Sequence, residues 1–304
     1  MATPLARQVA DEARRRRAAE VATAHRPEVT RVFTVANQKG GVGKTTSTVN
    51  LAAAMSLLGM NVLVIDIDPQ GNASTALGVP HHSGVPGIYD VLIDSVPLAD
   101  VVQPASTVER LWCAPATIDL AGAEIELVPL VAREARLRKA LEKFLAQRTG
   151  DDRIDFVFID CPPSLGLLTV NAFVSAQEVL IPIQTEYYAL EGVSQLMNNI
   201  TLIREHLNPD LRVSTILLTM FDARTRLSAQ VAEEVREHFP NEVLKTLIPR
   251  SVRISEAPSF GETVMTYDPA STGALSYREA ALEMTAVKAS GPSASDETGE
   301  RQHG

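Results

Sequence analysis

A chain of 304 residues, 45% of them apolar, carries enough apolar sequence to bury its own core as one large domain or two small ones. No apolar run reaches the ~20 residues of a bilayer span, there is no secretory apolar segment at the start, and two cysteines, Cys113 and Cys161, form neither a disulfide framework nor a metal spacing, which fits a reducing cytoplasm. The net charge of −9 argues against a broadly basic surface and leaves contact with any polyanion to a local patch.

Residues 1–29 form an extension rich in alanine and arginine, including Arg14-Arg15-Arg16-Arg17. It has no broad apolar face and reads as a disordered, frayed or partly helical tail, with a basic arm for DNA or a partner as the sharper alternative. Val32–Ala36 is strand-like and Thr46–Leu58 helical, stopped by Gly59. Between them lies Lys39-Gly40-Gly41-Val42-Gly43-Lys44-Thr45-Thr46. A glycine-rich turn between a strand and a helix start points backbone N–H groups inward, where they hold a polyphosphate. Lys44 would reach the β- and γ-phosphates, and the Thr45 hydroxyl would ligate Mg²⁺. The general pattern places glycine at position 38. This chain has Gln38 there, followed by a second lysine, Lys39.

Val62–Ile67 is apolar, as befits a parallel strand buried on both faces, and it ends in Asp66 and Asp68. Two carboxylates two residues apart share a strand face and repel unless a cation or donors stand between them. A Mg²⁺–ATP site supplies both. The stretch from Gly78 to about Leu130 is the least regular and reads as a mostly helical insertion. Glu134–Gln147 is an amphipathic helix. Phe156–Ile159 is an apolar strand ended by Asp160, the Walker B form, and Cys161 beside it reads as a small buried residue. Strands at Val179–Ile183, Val213–Met220 and Val243–Ile248 alternate with helices at Glu191–Leu207, Ala229–Phe239 and Ala274–Lys288. This alternation predicts a single α/β domain over 30–288: a doubly wound, mostly parallel sheet flanked by helices, of the P-loop NTPase type. The serine-, glycine- and charge-rich tail 289–304 reads as disordered.

With Lys39 at its front, the phosphate loop resembles the deviant Walker A motif of the ParA/MinD family of ATPases. The segments Thr117–Leu127, Gln184–Gly192, Leu218–Thr225 and Ile248–Pro258 resemble those of the chromosome-partitioning ParA (Soj) branch, and the likeness covers roughly residues 30–288. The resemblance implies ATP and Mg²⁺ as cofactors and an ATP-dependent sandwich homodimer. Lys39 would reach the partner subunit's nucleotide, and Gly40 would sit where the two loops meet. Asp68 would position or activate the attacking water. Asp66 would support the magnesium shell, Asp160 would accept from a magnesium water or from Thr45, and Pro249 would contact the nucleotide. The dimer would bind nucleoid DNA without sequence preference through Arg224 and Arg253, with Arg250 a weaker candidate. A ParB-type centromere-binding protein would stimulate slow hydrolysis, and the protein would be cytoplasmic and nucleoid-associated, with no membrane partner.

Rival classes lack their marks. A MinD-like positioning ATPase needs a C-terminal amphipathic anchor, and after Lys288 the chain has small residues and acids. An iron–sulfur ATPase needs two ligand cysteines near a dimer axis, and Cys113 has no cluster context. A tyrosine autokinase needs a C-terminal tyrosine cluster, and Tyr277 is the last tyrosine and stands alone.

Overall fold

Strands that are apolar on both faces belong in the middle of a sheet covered by helices on both sides. The computed structural model, which describes residues 4–286, places them there. The strands are β1 (Arg31–Val35), β2 (Val62–Asp66), β3 (Gln103–Pro104), β4 (Leu111–Ala114), β5 (Phe156–Asp160), β6 (Glu178–Gln184), β7 (Arg212–Phe221) and β8 (Val243–Pro249). They form one sheet in the order β3-β4-β2-β5-β1-β6-β7-β8, parallel throughout except for β3.

Alternate residues of the central strands feed two separate cores. Phe33, Val35, Val62, Val64, Phe156 and Phe158 pack under the helices Lys44–Leu57 and Thr272–Ala286. Val32, Leu63, Ile65, Val157 and Ile159 pack under Leu167–Ser175 and Arg136–Ala146. The rings of Phe33 and Phe158 stack with centroids 5.4 Å apart, which locks β1 against β5. These two strands carry the phosphate loop and Asp160.

Two segments are more ordered than the sequence suggests. The region Gly78–Leu130 does hold helices, at Ile88–Ile93, Leu98–Val101 and Leu120–Glu126, but it also supplies β3 and β4. β4 pairs with β2, so the region extends the main sheet. Four residues, Leu-Trp-Cys-Ala, are too few to display a period. The N-terminal extension is a helix, Pro4–Val21, lying against the C-terminal helix. Arg15 donates to Glu279 at 3.0 and 2.6 Å and to Ser276 at 3.0 Å. Arg16 donates to the Ala270 carbonyl, Arg278 donates to the Ala19 carbonyl, and Ala19 is buried. The docking positions 15, 16 and 19 follow helical spacing but are mostly charged, so an apolar-periodicity search passes over them. The predicted tail 289–304 lies outside the described residues.

A buried ion pair ties the sheet to its last helix. Arg31 donates twice to Glu178, at 2.7 Å each, and once to the Met284 carbonyl at 2.7 Å. Burial pushes the Glu178 carboxyl up, but the Arg31 hydrogen bonds and charge outweigh it and leave the group below its ordinary range. The pair's contribution is therefore full above the unfolded glutamate pKa of about 4.3 and is lost as pH falls through the lowered folded value. Arg31→Leu would leave buried Glu178 with the Ser214 hydroxyl and Arg212, the latter 3.7 Å away and half-exposed. Such a change is expected to cost about 3–5 kcal/mol at pH 7. Urea unfolding should show that deficit shrinking below about pH 4, where the carboxyl protonates.

Candidate active site

The phosphate loop leaves β1 and enters the helix Lys44–Leu57 through Gly43, whose φ of 89° is left-handed, as is Gly41 at 75°. Only glycine takes these angles without strain. No side chain caps the helix start, so its first amides face the loop as free donors, a ready anion seat. The loop is held from outside. Thr219, at the end of β7, donates to the Val42 carbonyl at 2.8 Å, and Val42 is buried. Met220, next in the chain, sits at φ 51°, a strained angle for a bulky residue. Thr46, the third residue of the helix, donates no side-chain contact to the acids. Its carbonyl accepts from Asn50 at 2.7 Å.

Around the loop the sheet gathers charge. Asp160 ends β5 in register with Val35 of β1 on one side and Asp66 of β2 on the other. Asp66 and Asp160 are fully buried, and Asp68 is 8% exposed. Thr45 Oγ1 donates to Asp160 at 2.7 Å, and Thr48 Oγ1 donates to its other oxygen at 2.9 Å. Both hydroxyls lie on one helix face, three residues apart. Burial drives the Asp160 carboxyl well above its ordinary range, against the two threonine hydrogen bonds, and Asp68 pushes it further. Asp66 is raised by burial and by Asp160, although it accepts from the Ser74 amide at 2.8 Å, the Ser74 hydroxyl at 2.7 Å and the Asp68 amide at 3.2 Å. The Asp66 carboxylate thus fastens β2 to the short helix Asn72–Ala76, while Asp160 faces the loop's threonine. Asp68 caps the following turn by accepting from the Gln70 amide at 3.0 Å.

Lys44 is buried and its Nζ lies 3.5 Å from the Lys39 carbonyl. Burial lowers its pKa, opposed by Asp160, Cys161 and Asp68. Lys39, half-buried, is ion-paired with Glu186, and its amide donates to Asn37 at 3.0 Å. Asn37 in turn donates to the Pro182 carbonyl at 2.8 Å. Gly40 stands clear of the rest of the chain, with nothing within 4 Å of an added Cβ. Both cysteines are buried, with thiol pKa values raised by that burial, so neither is a ready nucleophile.

The remaining candidates lie elsewhere. Pro249, Arg224 and Arg250 share a groove of about 900 Å³ that no phosphate-loop residue lines. Arg253 follows on the helix Val252–Glu256. Arg224 is 87% exposed and bonded to Asp222 at 2.9 and 2.8 Å, which holds the Asp222 carboxyl down at about 2. Arg253 meets Glu256 at 3.2 Å and Asp268 at 3.5 Å. The sequence reading missed Thr48, Ser74, Glu186 and Thr219. Only Thr48 had a signal, its three-residue spacing from Thr45. The other three become neighbours through the fold.

An AAA domain family model matches residues 30–213. The sporulation initiation inhibitor protein Soj of Bacillus subtilis is 52% identical over 256 residues, 84% of this chain and 98% of Soj. The chain belongs to the ParA/Soj family of chromosome-partitioning ATPases. The chromosome partitioning protein ParA of Caulobacter vibrioides is 47% identical over 84% of this chain and 93% of its own. Among solved structures, a protein described as cobyrinic acid a,c-diamide synthase from Mycobacterium smegmatis, with bound ADP and magnesium, is 37% identical with a TM-score of 0.69, covering 83% of this chain and 93% of its own. The septum site-determining protein MinD of Pyrococcus horikoshii, complexed with Mg-ADP, is 25% identical with a TM-score of 0.66, covering 83% and 95%. The sheet and phosphate loop described above are thus those of the ParA/MinD-type P-loop ATPases.

The raised Asp160 pKa means that the folded state binds an extra proton between the ordinary aspartate range and the raised value, so its ionisation destabilises the nucleotide-free protein as pH rises. Asp160→Asn keeps the shape and an acceptor for the Thr45 hydroxyl, lets Thr48 Oγ1, which also donates to the Lys44 carbonyl at 3.0 Å, accept from the new amide, and removes the buried charge. In chelator, its melting temperature should exceed wild type at pH 8.5, with the gain fading toward pH 5. The same variant should show a smaller melting shift with Mg²⁺–ATP than wild type.

Proposed function

We propose that this chain is an ATP-driven DNA-partitioning switch: it binds Mg²⁺–ATP at the phosphate loop, closes into a dimer, binds DNA without sequence preference and is reset by hydrolysis. The observation that carries the reading is the coupling of Thr45 and Thr48 to buried Asp160 beneath a loop of free amides. The donor set fits magnesium. Among the described residues no three acids, histidines or cysteines form a self-sufficient metal cage. Mg²⁺ characteristically takes one or two protein oxygens and completes its shell with water and phosphate. Thr45 would hold the ion directly, with Asp160 behind it, and when bound the ion neutralises charge on the β- and γ-phosphate oxygens. Asp66, committed to Ser74 and the Asp68 amide, would act by holding the strand end in place.

The chain's own groups divide the remaining work. Lys44 has one weak backbone contact in the loop and would exchange it for phosphate oxygens. Asp68 keeps one carboxylate oxygen without a donor among the described residues, and that oxygen would orient the attacking water. Lys39 is held by a half-buried ion pair open to solvent on one side, close to the surface kind worth about 0–1 kcal/mol, so a phosphate from a second copy would displace Glu186 at small cost. Gly40 has no intrachain reason to lack a side chain, so the bare Cα suits the close approach of another loop. Arg224 and Arg253 stand in exposed pairs that DNA phosphates would replace, and two copies along one duplex multiply their effect. A ParB-type partner would raise the slow turnover. The setting would be the nucleoid. No helix of the described residues is long and apolar enough to cross a membrane.

The test is DNA binding by the full chain with no nucleotide, ADP, ATP and a non-hydrolysable analogue. Tight binding is expected only with the triphosphates. Lys44→Ala should abolish it by removing the main phosphate cation. Asp68→Ala should bind DNA persistently and lose turnover by 100-fold or so, the scale of a lost general-base or water-positioning group. Equal DNA affinity with and without nucleotide, or unchanged turnover in Asp68→Ala, would overturn the reading.

A further inference from the structure

The family model begins at residue 30, so the N-terminal helix Pro4–Val21 stands outside the part that carries the family resemblance. It is nevertheless fixed to the ATPase domain. Arg15, through Glu279 and Ser276, joins the wall of the same groove that holds Arg224, Lys245 and Arg250. The groove's two acids are already engaged, Asp222 by Arg224 and Glu279 by Arg15. Lys245 and Arg250, both exposed, therefore give the groove an excess of positive charge on a protein of net charge −9. The outer face of the helix adds more. Arg14 and Arg17 are exposed one turn apart, and Arg14 makes an exposed pair with Asp11 at 3.1 Å. The four-arginine run is thereby divided: residues 15 and 16 dock the helix, with Arg15 in the groove wall, and residues 14 and 17 face solvent on the helix's outer side.

We infer that the docked N-terminal helix is a second DNA-backbone contact, presenting Arg14 and Arg17 to duplex phosphates while Arg15 and Arg16 hold the helix in register with the Arg224–Arg250 groove. The inference rests on the DNA reading above and extends it to a segment the family resemblance does not reach. Charge complementarity identifies the occupant: a local cluster of guanidinium groups on an acidic protein suits a regularly spaced phosphate backbone. Docking matters because cations on a fixed helix lose less freedom on binding than the same cations on a loose tail.

The experiment compares full-length wild type, R14A/R17A and R224A/R253A on a labelled mixed-sequence duplex, with a non-hydrolysable ATP analogue and Mg²⁺. Anisotropy is followed from about 50 to 200 mM salt, the range over which released counterions report phosphate contacts. Neither Arg14 nor Arg17 touches the active site, so nucleotide binding and far-UV circular dichroism of R14A/R17A should match wild type. Each phosphate contact removed should flatten the log–log salt slope by about 0.9, so R14A/R17A should lose up to about 1.8 per engaged helix, equally for unrelated sequences. Wild-type affinity and slope in R14A/R17A, alongside a loss in R224A/R253A, would overturn the inference and leave the DNA reading standing. A loss in R14A/R17A with none in R224A/R253A would support it and displace the groove arginines. Failure of every protein to bind DNA with the analogue would overturn both.

Discussion

Three carboxylates, Asp66, Asp68 and Asp160, are buried together where two neighbouring parallel strands end, and the rest of the site is arranged around the cost of keeping them there. Two of them, Asp66 and Asp160, face each other in register, so neither strand can shift without breaking the sheet. The fold answers their charge locally. Hydroxyls of Thr45, Thr48 and Ser74 donate to the buried oxygens, and the P-loop helix brings Lys44 close enough to be felt by Asp160 and Asp68. These donors reduce the burden but leave both register-paired groups pushed toward protonation. A divalent cation and a polyphosphate would complete the balance, one meeting the acids and the other meeting Lys44 and the free amides.

The arginines and lysines sort by burial into two kinds. Arg31 is buried against Glu178, bidentate and stacked 4.8 Å from the Phe33 ring, and its role is to hold the last helix on the sheet. Losing one partner of such a pair is expensive. Lys39, Arg224 and Arg253 instead sit in pairs open to solvent, where an ion pair contributes little and a phosphate can replace the acid. A chain with net charge −9 can in this way keep the cations proposed above to meet phosphate shielded until a polyanion arrives. The docked N-terminal helix combines both kinds within one run: Arg15 is structural and Arg17 is exposed.

What the sequence made legible follows from physical periods. The central strands β2 and β5 were readable because double-sided burial demands unbroken apolar runs, and the observed ends lie within one residue of the expected ones. The phosphate loop was readable because its glycines, lysines and threonines are local in sequence. β4 was not, since four residues carry no period, and the docking of Arg15 and Arg16 was not, since polar contacts leave no apolar stripe. Glu186 beside Lys39, Ser74 beneath Asp66 and Thr219 against Val42 are contacts that only the chain's path across the sheet creates. The sequence placed Asp66 and Asp160 at strand ends. That they face each other in register came only with the fold.

The most direct measurement is the proton count on nucleotide binding. If burial keeps protons on the Asp66–Asp160 pair in the nucleotide-free protein, saturating with Mg²⁺–ATP near pH 7.5 should expel them, because the divalent cation favours the ionised carboxylates. Calorimetry in buffers of different ionisation enthalpy would then show net proton release by wild type and a clearly smaller release by Asp160→Asn. Binding with no proton release, or with the same release in both proteins, would contradict the claim that this buried acid cluster is what the Mg²⁺–nucleotide completes.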